Sequence, residues 1–313
     1  MIKKFIVIGF IAFSLIASKC NNSAVSMLSV PCVEERAGWL CKTLTVKDEA
    51  NQDRLMEIRW NRVSGPTPEN SVIFVKGGSV DDWISFATPT AEALENELDV
   101  VYHIRSIEFR FSDGGLQMSQ YAKGFPFNAG VYTEVLKWLH DFGIVNKLIH
   151  HGNSSGATLV AAALAQHSAE SLLSGLVIGG GPFWSDLHNS CAWPTTLERT
   201  IIDGFNWPEL NTPCTLTYSA PEPAITAQSI LACSAAKDKS YSIPIIILLG
   251  ADDPLDWIAE EAIEYKNALM LEDPNNQISV ITVPNTPHLV ISTTEGANAI
   301  KAGILSIFNL QIQ

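Results

Sequence analysis

The stretch Gly152-Asn153-Ser154-Ser155-Gly156 separates a predicted strand from a predicted helix. Residues 147–151 before it are partly apolar and suit a β-strand, whereas residues 157–165 after it are good helix formers. A Gly-x-Ser-x-Gly turn between a strand and a helix is the sequence pattern of a nucleophile elbow. We therefore expect a strained turn that presents the Ser154 hydroxyl at the positive end of a helix dipole.

A seryl nucleophile needs a base, and the base needs a carboxylate that orients it. In the strand–turn–helix arrangement these groups follow the serine in the order Asp or Glu, then His. Asp252 and Asp253 come directly after residues 243–249, the most strand-like run of the chain, and His288 comes just after the last predicted strand. The sequence therefore predicts His288 as the base and Asp253 as the acid. Asp252 is a close alternative and Asp256 a weaker one, and an aspartate here can instead cap a helix.

Acyl transfer also needs backbone N–H groups that stabilise an oxyanion. The elbow supplies the amide of Ser155. A buried strand predicted at residues 71–76 ends in Gly77-Gly78-Ser79, where glycine lets the backbone approach a substrate closely. The Gly78 amide is the predicted second donor, with Gly77 or Ser79 as neighbouring alternatives. A plain strand-ending turn is the other interpretation.

Strand-like and helix-like segments alternate along the chain, which predicts an α/β fold with a mostly parallel central sheet and helices on both faces. The predicted strands are residues 44–46, 55–63, 71–76, 100–104, 147–151, 175–179, 243–249 and 278–283. The predicted helices span residues 81–98, 131–142, 157–165, 257–271 and 295–310, and a polar loop is predicted up to about residue 127. Residues 55–63 alternate apolar and polar, which is typical of a half-buried antiparallel strand.

One long segment interrupts this alternation. Residues 181–240 are rich in Pro and Trp and lie before the penultimate strand. A structureless loop of that length is uncommon inside a compact domain. We therefore expect a small cap or lid at residues 181–240 that covers the site.

The N-terminal segment, residues 1–24, has the pattern of a signal peptide. Lys3 and Lys4 precede an apolar run of about 13 residues, which is too short to span a bilayer. Cleavage is expected after Ala17 or Ala24. Cys20 allows a lipid anchor as a weaker alternative, because Lys19 stands where a lipobox needs a small residue. Export is the prediction, with residues 25–313 forming the mature domain.

Composition and net charge argue against two classes of partner. The chain has 313 residues, 47% of them hydrophobic, and a formal net charge of -13. This is enough for one domain with a large core, and the negative charge argues against nucleic acid and anionic membranes as partners. No stable membrane insertion is expected after signal cleavage.

Six cysteines in an exported chain suggest disulfides. Cys32 and Cys41 are expected to form a local pair, whereas Cys191, Cys214 and Cys233 would give one pair and one remaining thiol. None of the six has the spacing of a zinc site. The histidines outside the predicted site are expected to be structural or solvent-exposed: His103, His140, His150, His151, His167 and His188.

Together these motifs resemble the α/β-hydrolase superfamily over nearly the whole mature chain. Lys76-Gly77-Gly78-Ser79 stands where that family has His-Gly-Gly or His-Gly-x-Pro. His103-Ile104-Arg105 and Arg110-Phe111-Ser112 stand where many members have Asp-x-Arg-Gly-x-Gly-x-Ser. The prolyl and tripeptidyl aminopeptidase branch is the most similar, through a Cys-…-Trp-x-Cys-x-x-Leu-x-Val pattern at Cys32, Trp39, Cys41, Leu44 and Val46. The chain departs from that branch in having Gly-Gly-Ser-Val-Asp where those enzymes have Gly-Gly-Pro-Gly, and in its shorter cap.

The resemblance implies an α/β-hydrolase fold and a serine hydrolase that works through an acyl-enzyme, with Ser154, Asp253 and His288 as its triad. With the signal-peptide pattern of residues 1–24, the prediction is an exported serine hydrolase. It implies no metal or organic cofactor, and a small-molecule or short-peptide substrate. Aminopeptidase-like cleavage of short peptides is the first expectation, carboxylester or lipase-like hydrolysis the alternative, and a non-catalytic binding protein a third. In that branch, carboxylates of the cap bind the free amine of the substrate. Four residues are available for this role here: Glu198, Asp203, Glu209 and Glu222.

Overall fold

The computed structural model describes residues 28–32, 36–47, 53–61, 69–78, 83–84, 88–112, 124–183, 231, 240–255 and 257–310. Several sequence predictions lie outside these residues: the signal peptide with Cys20, nearly all of the cap with its cysteines and carboxylates, Ser79, and Asp256.

The described residues contain nine strands that form one mixed sheet. These are β1 (Leu28–Pro31), β2 (Trp39–Lys47), β3 (Asp53–Asn61), β4 (Asn70–Val75), β5 (Arg105–Phe111), β6 (Lys147–Asn153), β7 (Gly175–Gly179), β8 (Ile245–Gly250) and β9 (Ile278–Val283). Their spatial order is β1-β2-β3-β5-β4-β6-β7-β8-β9. The pairs β1–β2, β2–β3 and β3–β5 are antiparallel, and all pairs from β5–β4 to β8–β9 are parallel.

Helices cover both faces of this sheet. They are α1 (Pro89–Val100), α2 (Gly124–Asp141), α3 (Ser155–His167), α4 (Trp257–Glu272) and α5 (Thr294–Ile307). Residues of α1 and α5 share one buried apolar cluster, while residues of α2, α3 and α4 share the other. The predicted mostly parallel sheet with helices on both faces is therefore confirmed.

The order of the parallel strands positions the functional site. Since β4, β6, β7, β8 and β9 run in the same direction, the loops that follow them meet at one edge of the sheet. In open α/β sheets, ligands bind at this carboxyl edge. The loops after β4, β6, β8 and β9 carry the residues that the sequence predicts for the site.

The first helix and the strand after it differ from the sequence prediction. The helix begins at Pro89 rather than at Asp81 or Asp82, because the Thr88 side chain caps it by accepting a hydrogen bond from Ala91 N, 3.1 Å away. It extends to Val100, so residues 100–104 hold the helix end and a turn rather than a strand. The strand is residues 105–111, which were predicted to belong to a polar loop.

Buried ion pairs explain why this strand has a polar sequence. Glu108 is fully buried in β5 and accepts hydrogen bonds from the Arg59 guanidinium, at 2.8 Å and 3.1 Å, and from Arg36 at 3.0 Å. Beside it, Arg110 donates through Nε to Glu57 at 2.7 Å. The prediction that β3 is half-buried is wrong for the same reason, since its Glu57 and Arg59 are buried through these pairs.

A disulfide joins Cys32 and Cys41, whose Cα atoms are 5.3 Å apart. It closes a short loop that carries Arg36, one of the partners of Glu108. In the parts of the chain described above, the helices are all too short or too polar to cross a membrane.

Candidate active site

Ser154 lies at the turn between β6 and α3 with a backbone φ of 53° and ψ of −121°. A φ in the left-handed region is costly for a residue with a Cβ atom and persists only where the surroundings hold it. Here the Ser154 N–H donates to the carbonyl oxygens of Gly179 and Gly180, each 2.9 Å away. The structure therefore places at Ser154 the strained turn that the sequence predicts.

Glycines leave the space that this turn needs. A Cβ atom on Gly152 would lie 2.6 Å from the Gly156 carbonyl, and one on Gly156 would lie 2.6 Å from the Val75 carbonyl. A Cβ atom on Gly77 would lie 2.7 Å from the Cβ of Ser154. A side chain at Gly156 or Gly77 would push the elbow away from β4 and its loop, and one at Gly152 would disrupt the turn itself, so the serine stands close to the loop that follows β4.

Two histidines lie buried beneath the elbow. The His150 ring accepts a hydrogen bond at Nδ1 from the Tyr132 hydroxyl, 2.6 Å away, because its Nε2 donates to the Gly156 carbonyl at 3.1 Å. The His151 ring donates from Nδ1 to the Val177 carbonyl at 2.7 Å. Both rings are fully buried, which places them among the structural histidines that the sequence predicts and away from solvent.

Burial also keeps both rings neutral. Loss of hydration lowers the pKa of His150 to about 3, with the neighbouring His151 ring adding to the effect. Loss of hydration likewise lowers the pKa of His151 to about 4. The neutral His150 ring therefore supports the elbow through Gly156, whereas the neutral His151 ring bonds to β7 through Val177.

Asp253 and His288 meet through a hydrogen bond. The His288 Nδ1 atom lies 2.8 Å from the Asp253 Oδ2 atom, and the two side chains are 23% and 9% exposed. The other oxygen of this carboxylate accepts a hydrogen bond from Leu255 N at 2.9 Å, which fixes its orientation. Asp252 is exposed, and its backbone N–H donates to the Thr286 carbonyl at 2.9 Å. Of these two aspartates, the structure brings Asp253 to the histidine.

The Asp253–His288 pair lies next to the turn that holds Ser154. A Cβ atom on Gly180 would be 3.2 Å from His288 Nδ1 and 3.3 Å from His288 Cε1, and the Gly180 carbonyl accepts the hydrogen bond of Ser154 N. Among the described residues, no hydrogen bond joins the Ser154 hydroxyl to the His288 ring. Such bonds are often long in enzymes without substrate and tighten in the complex.

The two predicted oxyanion donors belong to the start of α3 and to the loop after β4. Ser155 is the first residue of α3, so its N–H has no acceptor within the helix. Gly78 follows β4 with a φ of 75°, a conformation that glycine adopts without strain, and a Cβ atom there would meet nothing within 4 Å. Among the described residues, there is space at Gly78, whereas Gly77 fits tightly against Ser154.

Two positions near Ser154 were missed by the sequence analysis. Asn153 stands before the serine, and its buried side chain bonds the backbone of the His288 loop. Gly180 lies against the His288 ring. A polar residue at the end of an otherwise buried strand was the available signal for Asn153.

Within the described ranges, no group of three His, Cys, Asp or Glu side chains is arranged to hold a metal ion.

Comparison with solved structures shows that the chain has the α/β-hydrolase fold. An esterase from Pyrobaculum calidifontis matches with a TM-score of 0.54 and 16% identity, over 86% of this chain and 84% of that one. Brefeldin A esterase, described as a bacterial homologue of human hormone-sensitive lipase, matches with a TM-score of 0.54 and 13% identity, over 90% of this chain and 79% of that one. A putative dipeptidyl aminopeptidase IV from Bacteroides ovatus matches with a TM-score of 0.55 and 11% identity, over 92% of this chain but 36% of that one.

At these identities the likeness establishes the fold. No family model matches the chain, and no curated protein matches it in sequence.

The two buried histidines should make the protein sensitive to acid. In the folded protein their pKa values are about 3 and about 4, whereas an unfolded histidine titrates near pH 6.5. Below pH 6.5 the unfolded chain binds protons that the folded protein refuses, so this contribution to stability is present above pH 6.5 and lost as the pH falls. We expect each ring to lower the free energy of unfolding by about 2 kcal/mol between pH 7 and pH 5, measured by urea unfolding.

The substitution His151→Asn isolates one of these contributions. Its amide can still donate to the Val177 carbonyl but does not titrate, so about half of the pH dependence should disappear. The matched control is His103→Asn, because His103 is exposed and has a φ of 54°, which asparagine tolerates. A pH dependence that is the same in His151→Asn as in the wild type would contradict the prediction.

Proposed function

We propose that this protein is a serine hydrolase in which Ser154 is the nucleophile, His288 the base and Asp253 the acid that orients the base. The observation that carries this proposal is the hydrogen bond between Asp253 and His288 beside the strained turn at Ser154. A nucleophile, a base within reach and a group that orients the base are the three parts that nucleophilic catalysis requires.

The proposed reaction has two acyl-transfer steps. The Ser154 oxygen attacks the carbonyl carbon of the substrate, and its proton passes to His288 Nε2. The tetrahedral intermediate then collapses as the imidazolium returns that proton to the leaving group, which leaves an acyl-enzyme. A water molecule, deprotonated by the same ring, attacks the acyl-enzyme, and the imidazolium then returns the proton to the Ser154 oxygen as the acid is released. Asp253 holds the ring through Nδ1 and stabilises its positive charge.

We assign the oxyanion to the amides of Gly78 and Ser155, with the Gly77 or Ser79 amide as an alternative to Gly78. The Ser155 N–H lies at the positive end of the α3 dipole, where a developing negative charge is favoured. Donors that are fixed before the reaction cost no reorganisation when the charge appears. The close fit of Gly77 against Ser154 supports the approach of this loop to the substrate carbonyl.

For the substrate, we propose carboxylic esters first. The esterases reported above have chains of similar extent to this one, with 84% and 79% of their length matched. The aminopeptidase neighbour is matched over only 36% of its chain, so that likeness concerns only part of that protein. Short peptides remain the second candidate, because the loop of Cys32 and Cys41 carries the pattern that resembles prolyl and tripeptidyl aminopeptidases. The cap proposed at residues 181–240 would select between them.

We also propose that the protein is exported. The Lys3-Lys4 and apolar pattern of residues 1–24 supports this, and so does the disulfide between Cys32 and Cys41. Disulfides form and persist in oxidising compartments and are rare in the cytosol.

A fluorophosphonate probe tests the proposed nucleophile. The wild type should be labelled covalently, and Ser154→Ala should abolish labelling because the attacking oxygen is removed. The matched control is Ser306→Ala, which removes an exposed hydroxyl on α5 and should leave labelling unchanged. Labelling that survives in Ser154→Ala would refute the assignment. A wild type that is never labelled would favour a non-catalytic binding protein.

Two neighbouring substitutions test the acid. Asp253→Asn should lower kcat by roughly 10³- to 10⁴-fold, because an amide at this position neither fixes the imidazole tautomer nor stabilises the imidazolium. Asp252→Asn should change kcat by less than about threefold, since Asp252 meets the histidine loop only through its backbone. A larger loss in Asp252→Asn than in Asp253→Asn would overturn the choice.

A comparison of kcat/KM for two kinds of substrate tests the substrate class. Short-chain nitrophenyl esters should be hydrolysed with a higher kcat/KM than proline or alanine arylamides. The reverse order would establish the peptidase alternative in place of the esterase proposal.

A further inference from the structure

Asn153 connects the nucleophile turn to the loop that carries the histidine. It is the last residue of β6 and precedes Ser154, and it is only 1% exposed. Its Nδ2 atom donates to the His288 carbonyl at 3.1 Å, and its Oδ1 atom accepts from Val290 N at 3.0 Å. One side chain therefore holds the main chain on both sides of Leu289.

The chemistry of these two contacts requires a primary amide. A backbone N–H can only donate and a backbone carbonyl can only accept, so the positions of the oxygen and nitrogen of Asn153 are determined by its partners. An ionised aspartate could accept from Val290 N but would repel the His288 carbonyl. An apolar side chain would leave both buried backbone groups without this partner, which is costly.

The end of β7 is shaped around the same contacts. A Cβ atom on Gly179 would lie 2.7 Å from Asn153 Oδ1 and 3.1 Å from Val290 Cβ. The next residue, Gly180, would meet the His288 ring if it carried a Cβ atom. Two successive glycines therefore leave room for the amide and for the imidazole.

We propose that Asn153 is a positioning residue for His288, an inference that rests on the proposed function. Asp253 fixes the imidazole ring, whereas Asn153 fixes the main chain of the residue that carries the ring. Because Asn153 is covalently joined to Ser154, the same residue sets the distance between the base and the nucleophile. Misplacement of a catalytic group by about 1 Å can reduce the rate by about 100-fold.

The test compares Asn153→Ala with a matched asparagine elsewhere. Asn276 is also buried and bridges two backbone groups, since its Nδ2 donates to the Leu269 carbonyl at 2.7 Å and its Oδ1 accepts from Tyr241 N at 2.6 Å. It lies in the turn before β9, at the edge of the sheet opposite to the site. Asn276→Ala therefore measures what the loss of a buried amide bridge does to folding alone.

We expect Asn153→Ala to lower kcat by roughly 10- to 100-fold with KM changed by less than about threefold, because the defect lies in the proton transfer and not in binding. Asn276→Ala should lower the Tm by a similar amount but change kcat by less than about twofold. The substrate is a short-chain nitrophenyl ester, and the rate constant of fluorophosphonate labelling is measured in parallel.

A second variant, Asn153→Asp, tests the donor itself through pH. We expect burial and the facing carbonyl to raise the pKa of a carboxyl at this position more than the Val290 N–H lowers it, and its protonated form can donate to His288 O as the amide does. As the pH rises from 6 to 9 this carboxyl loses its proton and repels the carbonyl. The activity of Asn153→Asp relative to the wild type should therefore fall with rising pH.

The outcomes separate the possible failures. A kcat of Asn153→Ala within twofold of the wild type, or an equal loss in Asn276→Ala, would overturn the positioning role. A pH profile of Asn153→Asp parallel to that of the wild type would overturn the assignment of the amide donor. If the wild type neither turns over esters nor reacts with the probe, the proposed function fails and takes this inference with it.

Discussion

The backbone of Ser154 has a left-handed φ that residues with a side chain usually avoid. Hydrogen bonds that its N–H donates to the end of the neighbouring strand β7 hold it in this conformation. Its N–H reaches the carbonyls of Gly179 and Gly180, so the turn depends on the pairing of β6 with β7. The elbow must also lie close to β4 and the loop after it, which is possible because Gly77 and Gly156 have no side chains. The direction of the serine hydroxyl is therefore a property of the whole parallel sheet rather than of the five-residue motif.

The antiparallel half of the sheet depends on a different interaction. Arg36, which is partly buried, and the buried Arg59 bind Glu108, and Arg36 also binds the buried Glu95 of α1 at 2.8 Å. Burial together with the nearby Glu108 carboxylate raises the pKa of Glu95 well above its usual range. Such pairs add little net stability over apolar packing, but removal of one partner leaves a buried charge uncompensated. This network of ion pairs therefore determines the pairing of β3 with β5 and α1 more than it adds to the stability of the fold.

Sequence patterns predicted the parallel strands well, because continuous apolar runs such as residues 175–179 bury both faces of a strand. They failed at β5, where Glu108 and Arg110 gave a polar sequence to a buried strand whose partners lie far away in the chain. The predicted start of α1 was wrong because Asp81 and Asp82 match the pattern of a helix start as well as Thr88 and Pro89 do. At the site, the Gly-x-Ser-x-Gly turn selected Ser154, and the chain order of the triad selected His288. Asp252 and Asp253 are adjacent and chemically identical, and they differ only in the direction in which the turn points their side chains. A sequence pattern does not contain this direction.

Much of the site geometry is specified by main-chain groups and by glycines. The carbonyls of Val75, Thr286, Gly179 and Gly180 and the amides of Asp252 and Val290 make many of the contacts that align the loops. Contacts of this kind place no demand on the side chain of the residue that makes them. The surrounding sequence can therefore diverge widely while the fold persists, which is consistent with the identities of 11–16% between this chain and the three neighbours described. New specificities can then arise from substitutions around the site that leave its alignment untouched.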